Sequence, residues 1–337
     1  MNPQVNASTD GQMIPFTVGK YQVIRQIGKG GFATVVLAVD PKTNQNVAIK
    51  IFDRQFIVKG GYMKYLENEL RLCSRLNHPN IVKILDVVYD ERSIMIVMEY
   101  LSNGDLQSLI MNGYHFSIPE QIRISLEILQ GLNYLHKRGI SHRDIKPENI
   151  MFDQNFHAKI IDFGFSKESS MMLKTYCGTP FYMSPEVIQT DCYNGIKSDI
   201  WAFGITIHVI AVKLYPFECQ NEIEFMKLMQ HNKLRISIIP KGIIGDICEK
   251  SLKMDPNSRS SAEQLIEMLE NYLATSTILN NSGVHQLKQE TLLPSLPVRK
   301  HSPSSVRVKI LNSRVFKKTK FNINVKVRVT NKSTPNL

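Results

Sequence analysis

Two glycines near the start of the chain have a spacing suited to binding phosphate. The pattern Gly28-x-Gly30-x-x-Ala33-x-Val35 lies between two segments rich in β-forming residues. Glycines allow a backbone turn to approach phosphate oxygens closely and to present N–H donors to them. An ordinary hairpin turn with glycine at positive φ would contain the same residues. The strand that follows argues against a Rossmann dinucleotide site, because that site needs a helix at this point.

Lys50 is the second candidate for phosphate chemistry. It ends the apolar segment Val47-Ala48-Ile49-Lys50. A buried ammonium group needs an anion, which a carboxylate or a ligand phosphate can supply. Glu69, on the helix predicted after this strand, is one such carboxylate. The alternative is a lysine that reaches the surface with its amine in water.

The elements that must position these residues follow from the hydrophobic pattern. Strands are predicted on both sides of the glycine turn over 21–38, and at 47–52 and 93–100. A helix over 62–77 has Leu66, Leu70, Cys73 and Leu76 on one face. After Leu101 the pattern is helical, with amphipathic segments at 118–137, 198–212, 220–231 and 260–273. The sequence therefore predicts a small sheet lobe with one main helix, followed by a larger helical lobe.

Length and composition agree with a folded, non-secreted protein. The 337 residues are 43% hydrophobic and 21% charged, which excludes a wholly disordered or collagen-like chain. The five cysteines form no Cys-x-x-Cys, so neither a disulfide framework nor a structural zinc site is predicted. No secretion signal is recognisable, and the apolar stretch Ile200 to Val212 is shorter than the roughly 20 residues of a membrane-spanning helix. A reducing, cytoplasmic location is expected, with the nucleus as an alternative.

The net charge of +11 belongs to the C-terminal tail. Residues 1–279 contain 29 Lys and Arg against 29 Asp and Glu, whereas residues 280–337 contain 12 against the single Glu290. An electrostatic partner, whether acidic lipid, nucleic acid or an acidic protein, is therefore expected to contact the tail. The tail, 275–337, is expected to be mostly disordered. Alternation of apolar and polar residues over 306–310 and 321–329 gives short strands as the alternative. Residues 1–19 are expected to form a disordered leader.

The most specific motif is the segment 141–149, SHRDIKPEN, which is followed by Asp162-Phe163-Gly164. With the glycine turn, Lys50 and Glu69 in the same order, it resembles the eukaryotic protein kinases, which share H-R-D-x-K-x-x-N and D-F-G. The resemblance covers about Tyr21 to Leu273. It implies an α+β, bilobed protein-kinase fold over 20–274, with a small antiparallel sheet lobe at about 20–98, a hinge at about 99–104 and a large helical lobe at about 105–274.

The resemblance implies a serine/threonine kinase that transfers the γ-phosphate of ATP to a protein hydroxyl with the help of Mg²⁺. Asp144 would accept the hydroxyl proton and orient the nucleophile. Lys146 would contact the γ-phosphate, and a lysine there marks serine/threonine specificity in this family. Asn149 and Asp162 would supply oxygen ligands to Mg²⁺. Lys50, held by Glu69, would grip the α- and β-phosphates.

The same resemblance places the rest of the nucleotide. Glu99-Tyr100-Leu101 matches the hinge whose backbone binds the adenine, with Met98 as the gatekeeper. The ring would be sandwiched between apolar side chains, and an acidic residue would lie near the ribose. The residues expected to bind the nucleotide are Ile27, Gly28, Gly30, Val35, Ala48, Lys50, Glu69, Met98, Glu99, Leu101, Asp105, Met151 and Asp162.

Regulation is also implied by the family pattern. Arg143 would pair with a phosphorylated residue of the activation segment, Thr175 is at the matching position, and Lys167 could add a second cation. The expected result is a switch in which phosphate on Thr175, added by an upstream kinase, activates the enzyme. A surface threonine without a role is the alternative. The family further implies a buried ion pair between Glu186 and Arg259.

The subgroup and the substrate are less defined than the family. The segments GKGGFA, DFGFSK and CGTPFYMSPE look nearest the calcium/calmodulin-dependent, autophagy-initiating and Polo-like kinases. Phe165 resembles the choice of kinases that favour serine acceptors. Two other classes are open: a nucleotide-binding scaffold that signals without catalysis, and a protein whose main function is the binding of membrane or nucleic acid by its tail.

Overall fold

The computed structural model describes residues 6–7, 13–14, 16–30, 33–61, 63–73, 75–168, 173 and 178–282. In these residues strands β1 to β12 are Asn6–Ala7, Met13–Ile14, Thr17–Val18, Tyr21–Lys29, Ala33–Asp40, Gln45–Asp53, Ile84–Tyr89, Ser93–Glu99, Ile140–Ser141, Ile150–Phe152, Ala158–Ile160 and Lys167–Glu168. Helices α1 to α9 are Arg54–Lys59, Met63–Cys73, Leu106–Met111, Ile118–His136, Pro185–Gln189, Gly195–Val212, Glu222–Gln230, Gly242–Ser251 and Ala262–Ser282. Thr175 and the predicted tail strands lie outside the described residues.

The small lobe is built on a six-stranded antiparallel sheet in the order β3-β4-β5-β6-β8-β7. Its central strands are β-branched and apolar on both faces because both faces are covered. On one face Val36, Ile49 and Val97 are buried together. On the other face Phe52 and Ile96 pack with residues of α1 and α2. The sheet thus holds Lys50 of β6 on the side of α2.

The large lobe is organised around α4 and α6. A capping box starts α4, since the Ser117 side chain accepts from the N–H of Glu120 and the Glu120 carboxylate accepts from the N–H of Ser117. In α6 apolar residues surround the helix, and Trp201 and Phe203 are fully buried. A helix that is apolar all round is an interior helix. The bilobed α+β fold expected from the sequence is confirmed.

One helix in the described part of the chain, α6, is long and apolar enough to cross a membrane by length and composition alone. However, 78% of that helix is buried inside the protein. In this fold α6 is therefore the core of the helical lobe.

Three differences between the structure and the sequence prediction concern the small-lobe sheet and the bounds of the domain. β7 was not predicted, because it is an edge strand whose alternation is broken by Asp86 and by a register shift against β8. α9 continues to Ser282, past the predicted domain end at residue 274. The expected leader, 1–19, includes β3, which pairs with β4 and buries Val18. An apolar residue that adds a rung to a sheet is ordered by that contact.

Candidate active site

A short antiparallel ribbon, β10–β11, brings the two predicted metal ligands together. Asn149 directly precedes β10, and Asp162 follows β11, so both lie at the same end of the ribbon. The N–H of Ile161 donates to the carbonyl of Asn149 at 3.0 Å, which extends the pairing toward Asp162. The predicted pair is thus held by backbone hydrogen bonds.

Asp144 is the centre of a polar cluster. Lys146 Nζ lies 2.7 Å from Asp144 Oδ2, and Asn149 Nδ2 donates to the same oxygen at 2.9 Å. The Thr179 hydroxyl donates to Asp144 Oδ1 at 3.0 Å and accepts from Lys146 Nζ at 2.6 Å. Because the Asn149 amide nitrogen is engaged by Asp144, the amide oxygen is the atom that can bind a cation. The Asp144 carboxylate is 7% exposed and oriented from both sides.

The backbone around Asp144 is anchored by a buried carboxylate of α6. Asp199 accepts from the N–H of His142 at 2.8 Å and from the N–H of Arg143 at 2.7 Å. His136 Nε2 lies 3.0 Å from the same carboxylate. Arg143 has φ 72°, in the left-handed region that disfavours a side chain with Cβ. The Asp199 carboxylate therefore holds a backbone conformation that is strained in isolation.

His142 joins the segment of Asp144 to the segment of Asp162. Its Nδ1 accepts from the N–H of Asp144 at 3.3 Å, and its Nε2 lies 3.0 Å from the carbonyl of Ile161. The ring packs edge-on against Phe163 with centroids 5.2 Å apart. The two carboxylates of the site are therefore coupled through one buried side chain.

Lys50 is held between two carboxylates. Its Nζ lies 2.8 Å from Glu69 Oε1 and 3.5 Å from Asp162 Oδ1. Burial raises the pKa of Glu69, and the attraction of Lys50 opposes that shift. For Asp162 burial also acts upward, but Lys50 and the N–H of Gly164 outweigh it and lower the pKa. Asp162 is therefore the more firmly ionised of the two carboxyl groups. Its backbone has φ 64°, in the left-handed region.

The positive charge of Lys146 is stabilised in the same way. Burial acts against the charged amine, but the carboxylates of Asp144, Glu148 and Asp162 outweigh it and raise the pKa of Lys146. Lys146 therefore remains a cation next to the position where Asp144 would meet a substrate hydroxyl.

The strand register brings the apolar nucleotide residues to one face of the sheet. Gly28 pairs with Val35, Val35 with Lys50, and Ala48 with Met98. Gly28 and Gly30 belong to the strand–turn–strand, and neither has a positive φ. Gly31, the third glycine of this turn, lies outside the described residues, so the hairpin alternative stays open. Val35, Ile27 and Met98 are partly buried and Ala48 is buried. This side of the site can therefore receive a flat apolar ring.

The hinge and the segment after it connect the two lobes. Leu101 is buried, and Met151 of β10 forms a bridge with Asp105. Asp105 accepts from the N–H and the hydroxyl of Ser108, both at 2.7 Å, and so caps α3. The Glu99 side chain contacts Lys159 Nζ at 3.0 Å. The contribution of Glu99 to a nucleotide site would therefore come from its backbone.

The residues of the predicted phosphate switch are described in part. Arg143 Nε donates to the Tyr193 hydroxyl at 3.0 Å, and its Nη1 donates to the carbonyl of Phe165 at 3.3 Å. Lys167 lies in β12, which pairs with β9, the strand leading to Arg143. The switch at Thr175 stays a prediction, since Thr175 is outside the described residues.

The ion pair expected between Glu186 and Arg259 is present. Arg259 Nη1 and Nη2 lie 2.6 and 2.7 Å from the two oxygens of Glu186. Arg259 is 2% exposed, its Nε donates to the carbonyl of Lys253, and its guanidinium lies 5.0 Å from the ring of Trp201. This two-point contact fixes α5, next to the segment that carries Thr179.

Sequence reasoning did not assign roles to two residues of the site. Thr179 touches both Asp144 and Lys146, and Asp199 holds the backbone before them. Both occur in motifs that were recognisable, Cys177-Gly178-Thr179-Pro180 and Asp199-Ile200-Trp201. Gly178, at φ 110°, adds a steric signal, because a Cβ there would lie 2.8 Å from the carbonyl of Arg143.

The donor set suits magnesium better than zinc. Within the described ranges no group of three or more His, Cys, Asp or Glu is arranged to hold a metal. Asn149 and Asp162 offer two oxygen ligands, which fits Mg²⁺, since that ion keeps several waters and is bound through one or two carboxylates together with phosphates.

Comparison with known proteins agrees with this geometry. The model of the protein kinase domain matches residues 21–269. CBL-interacting serine/threonine-protein kinase 12 of Arabidopsis thaliana is 32% identical over 74% of the chain and 52% of its own length. CBL-interacting protein kinases 11 and 26 of Oryza sativa subsp. japonica are 33% and 34% identical over 76% and 73% of the chain and 52% and 51% of their own lengths. The chain thus spans about half the length of these curated relatives. With its site and its match over both lobes, the chain belongs to the eukaryotic protein kinase family.

Proposed function

We propose that the protein is a serine/threonine kinase that transfers the γ-phosphate of ATP to hydroxyl groups of protein substrates. The observation that carries the proposal is the polar cluster on Asp144, linked through His142 to the Lys50, Glu69 and Asp162 group. Phosphoryl transfer asks a protein mainly to align the reactants and to neutralise charge. The described side chains are suited to both tasks.

Each side chain would have a separate part in the reaction. Lys50, held by Glu69, would bind phosphate oxygens by charge. Asp144 would accept a hydrogen bond from the acceptor hydroxyl and take its proton as the oxygen attacks the γ-phosphorus and the bond from that phosphorus to ADP breaks. Lys146 would neutralise charge on the transferred group. Mg²⁺, held by Asn149 and Asp162, would supply further neutralisation of the phosphates when bound.

The acceptor class rests on Lys146 and on the relatives. The family pattern has a lysine at this position in serine/threonine kinases, and in this chain Lys146 is engaged by both Asp144 and Thr179. The Arabidopsis thaliana relative described above carries the words serine/threonine-protein kinase in its name. The names of the relatives also state an interaction with CBL, but the chain spans only about half of their length. We therefore propose protein substrates and an upstream kinase as partners, and we do not extend the interaction with CBL to this chain.

The proposed regulation is a phosphate on Thr175 that contacts Arg143 and Lys167. A phosphate carries nearly two negative charges and can order a loop against basic side chains. Lys167 lies on β12, which pairs with β9, and β9 leads to Arg143 and Asp144. This position supports the proposal. A phosphate bound there would act on the backbone that holds the catalytic carboxylate.

The test is a labelled-phosphate assay on a basic peptide library with the purified full chain. Asp144→Asn should lose at least about a thousandfold in kcat while retaining ATP binding, as expected for a group used only during transfer. Thr175→Ala should lower activity in a sample treated with an upstream kinase. Exposed Thr275→Ala of α9 is the matched control.

Three results would each overturn a different expectation. ATP binding without transfer to any library peptide would leave a nucleotide-binding scaffold. Full activity of Thr175→Ala after the same treatment would remove the switch but not the kinase. A library in which threonine is preferred over serine would refute the acceptor preference expected from Phe165.

A further inference from the structure

α2 is attached to the helical lobe by the residues that follow it. The N–H of Asn77 donates to the Tyr134 hydroxyl at 3.0 Å, and the Asn80 side chain donates to the carbonyl of Ala158 at 2.9 Å. These contacts fix the chain just beyond the C-terminal end of α2. Glu69 lies inside the helix, upstream of this attachment. The direction in which α2 leaves the attachment therefore decides whether Glu69 reaches Lys50.

A second, ionic contact holds α2 from the other lobe. Arg71 of α2 forms an ion pair with Glu168 of β12 through Nη1 and Oε2. Arg75 Nη1 lies 3.9 Å from the other carboxylate oxygen of Glu168. Arg71 is two residues after Glu69, on the same helix. The carboxylate of Glu168 thus meets two cations near the C-terminal end of the helix that carries Glu69.

The position of Glu168 is set by the strand that leads to the catalytic carboxylate. β12 pairs antiparallel with β9, with Glu168 opposite Ile140 and Lys167 opposite Ser141. β9 runs directly into His142 and Asp144. Glu168 is therefore fixed relative to Asp144 by backbone hydrogen bonds, whereas its side chain reaches across to α2.

We propose that Glu168 is a positioning residue, which through Arg71 holds α2 in the direction that brings Glu69 onto Lys50. The inference rests on the proposed function, because it assigns Lys50 to the nucleotide phosphates. Glu168 does not touch the reacting atoms in this account. Through Arg71, Glu168 links the β9–β12 pair of the large lobe to Lys50 of the small lobe.

The size of the effect is limited by exposure. The side chains of Arg71 and Glu168 are 42% and 37% exposed, so water and salt screen their attraction. Glu69, by contrast, is 8% exposed and has Lys50 as its cation. The Arg71–Glu168 pair therefore contributes only a small free energy to the orientation of α2. That orientation decides whether the buried carboxylate of Glu69 keeps Lys50 as its cation.

The experiment is a double-mutant cycle on the full chain. Glu168→Gln and Arg71→Gln should each lower kcat/KM for ATP by about two- to fivefold at low salt, the range of an exposed ion pair. KM for the peptide should stay unchanged. If the two residues act through each other, the double variant should behave as Arg71→Gln alone. Raising the salt to about 1 M should bring the wild type close to Glu168→Gln, since charges are then screened within a few ångströms.

The matched control is another exposed ion pair, Lys137 with Glu263, which joins α4 to α9. Lys137→Gln and Glu263→Gln should leave the ATP parameters unchanged. Effects of Glu168→Gln and Arg71→Gln that multiply in the double variant would overturn the inference, and so would a change equal to that of the control pair.

Hydrogen exchange of the α2 amides separates this inference from the proposed function. Faster exchange in Glu168→Gln than in Glu263→Gln is expected, and equal exchange would overturn the positioning role. A wild-type chain that transfers no phosphate would refute the proposed function, while the exchange comparison would still decide whether Glu168 positions α2.

Discussion

At the scale of single residues, the carboxyl groups of the site differ in pKa because their surroundings differ. Glu69 is enclosed and has its pKa raised by burial, against the attraction of Lys50. Asp162 has its pKa lowered, because Lys50 and a backbone N–H outweigh its burial. A carboxylate with a lowered pKa stays a ligand for a cation over a wide range of pH, whereas one with a raised pKa takes up a proton first as the pH falls.

This difference predicts a pH effect that belongs to Glu69. Since its folded-state pKa is raised, acidification from neutral pH should protonate Glu69 before Asp162 and release Lys50. Affinity for a fluorescent ATP analogue should then fall on the acid side. Glu69→Gln, which has the charge of the protonated form, should bind the analogue more weakly at neutral pH and lose this part of the pH dependence. An unchanged acid limb in Glu69→Gln would assign the titration to another group.

At the scale of elements, the activation segment is held at its end by one buried contact. Arg259, in the turn before α9, reaches Glu186 of α5 with both terminal nitrogens. The same guanidinium donates to the carbonyls of Lys197 and Met254. Three elements therefore converge on a cation that water hardly reaches.

Removal of one partner should be costly. Glu186→Gln should lower the free energy of unfolding by roughly 3–5 kcal/mol, because it leaves a buried guanidinium without its counter-charge. Urea denaturation followed by fluorescence measures the change. Glu263→Gln, which breaks a pair whose acid is 66% exposed, should lower it by no more than about 1 kcal/mol. Similar losses in the two variants would show that burial does not set the strength of the Glu186 pair.

The elements also show how far sequence reasoning reaches. Lys50 with Glu69 and Glu186 with Arg259 were predicted as pairs, because motifs name both partners. Thr179 and Asp199 were given no role, since no motif names the residues that they contact. Local periodicity located the central strands and the long helices. It could not find β7, whose place is set by pairing with β8 and not by its own pattern.

At the scale of the whole molecule, charge and chemistry are separated along the chain. The body that carries the site has equal numbers of acidic and basic residues, and the excess charge lies after residue 279. The charged side chains that form the site in the described part of the chain belong to that body. We therefore treat attraction to acidic surfaces as a property of the tail.

Deletion of residues 283–337 tests this separation. The full chain should bind vesicles that contain acidic lipid, since each basic residue near the membrane surface contributes about 1 kcal/mol. Because this attraction is electrostatic, the affinity should fall steeply as the salt concentration rises. The shortened chain should lose this binding but keep its transfer activity. Vesicle flotation at several salt concentrations, with neutral-lipid vesicles as the control, measures the first effect. Salt-insensitive binding would refute electrostatic attraction by the tail, and stronger binding to a nucleic acid than to lipid would favour nucleic acid as its partner.

Arg143 and Asp162 both have a left-handed backbone conformation without being glycine. Such conformations cost on the order of 1 kcal/mol or more and persist only where the surroundings impose them. Reaction geometry and thermal robustness therefore make opposite demands on these two positions. Selection for thermal stability alone should replace Arg143 and Asp162 by glycine or asparagine. The resulting variants should be more stable to heat but should no longer transfer phosphate.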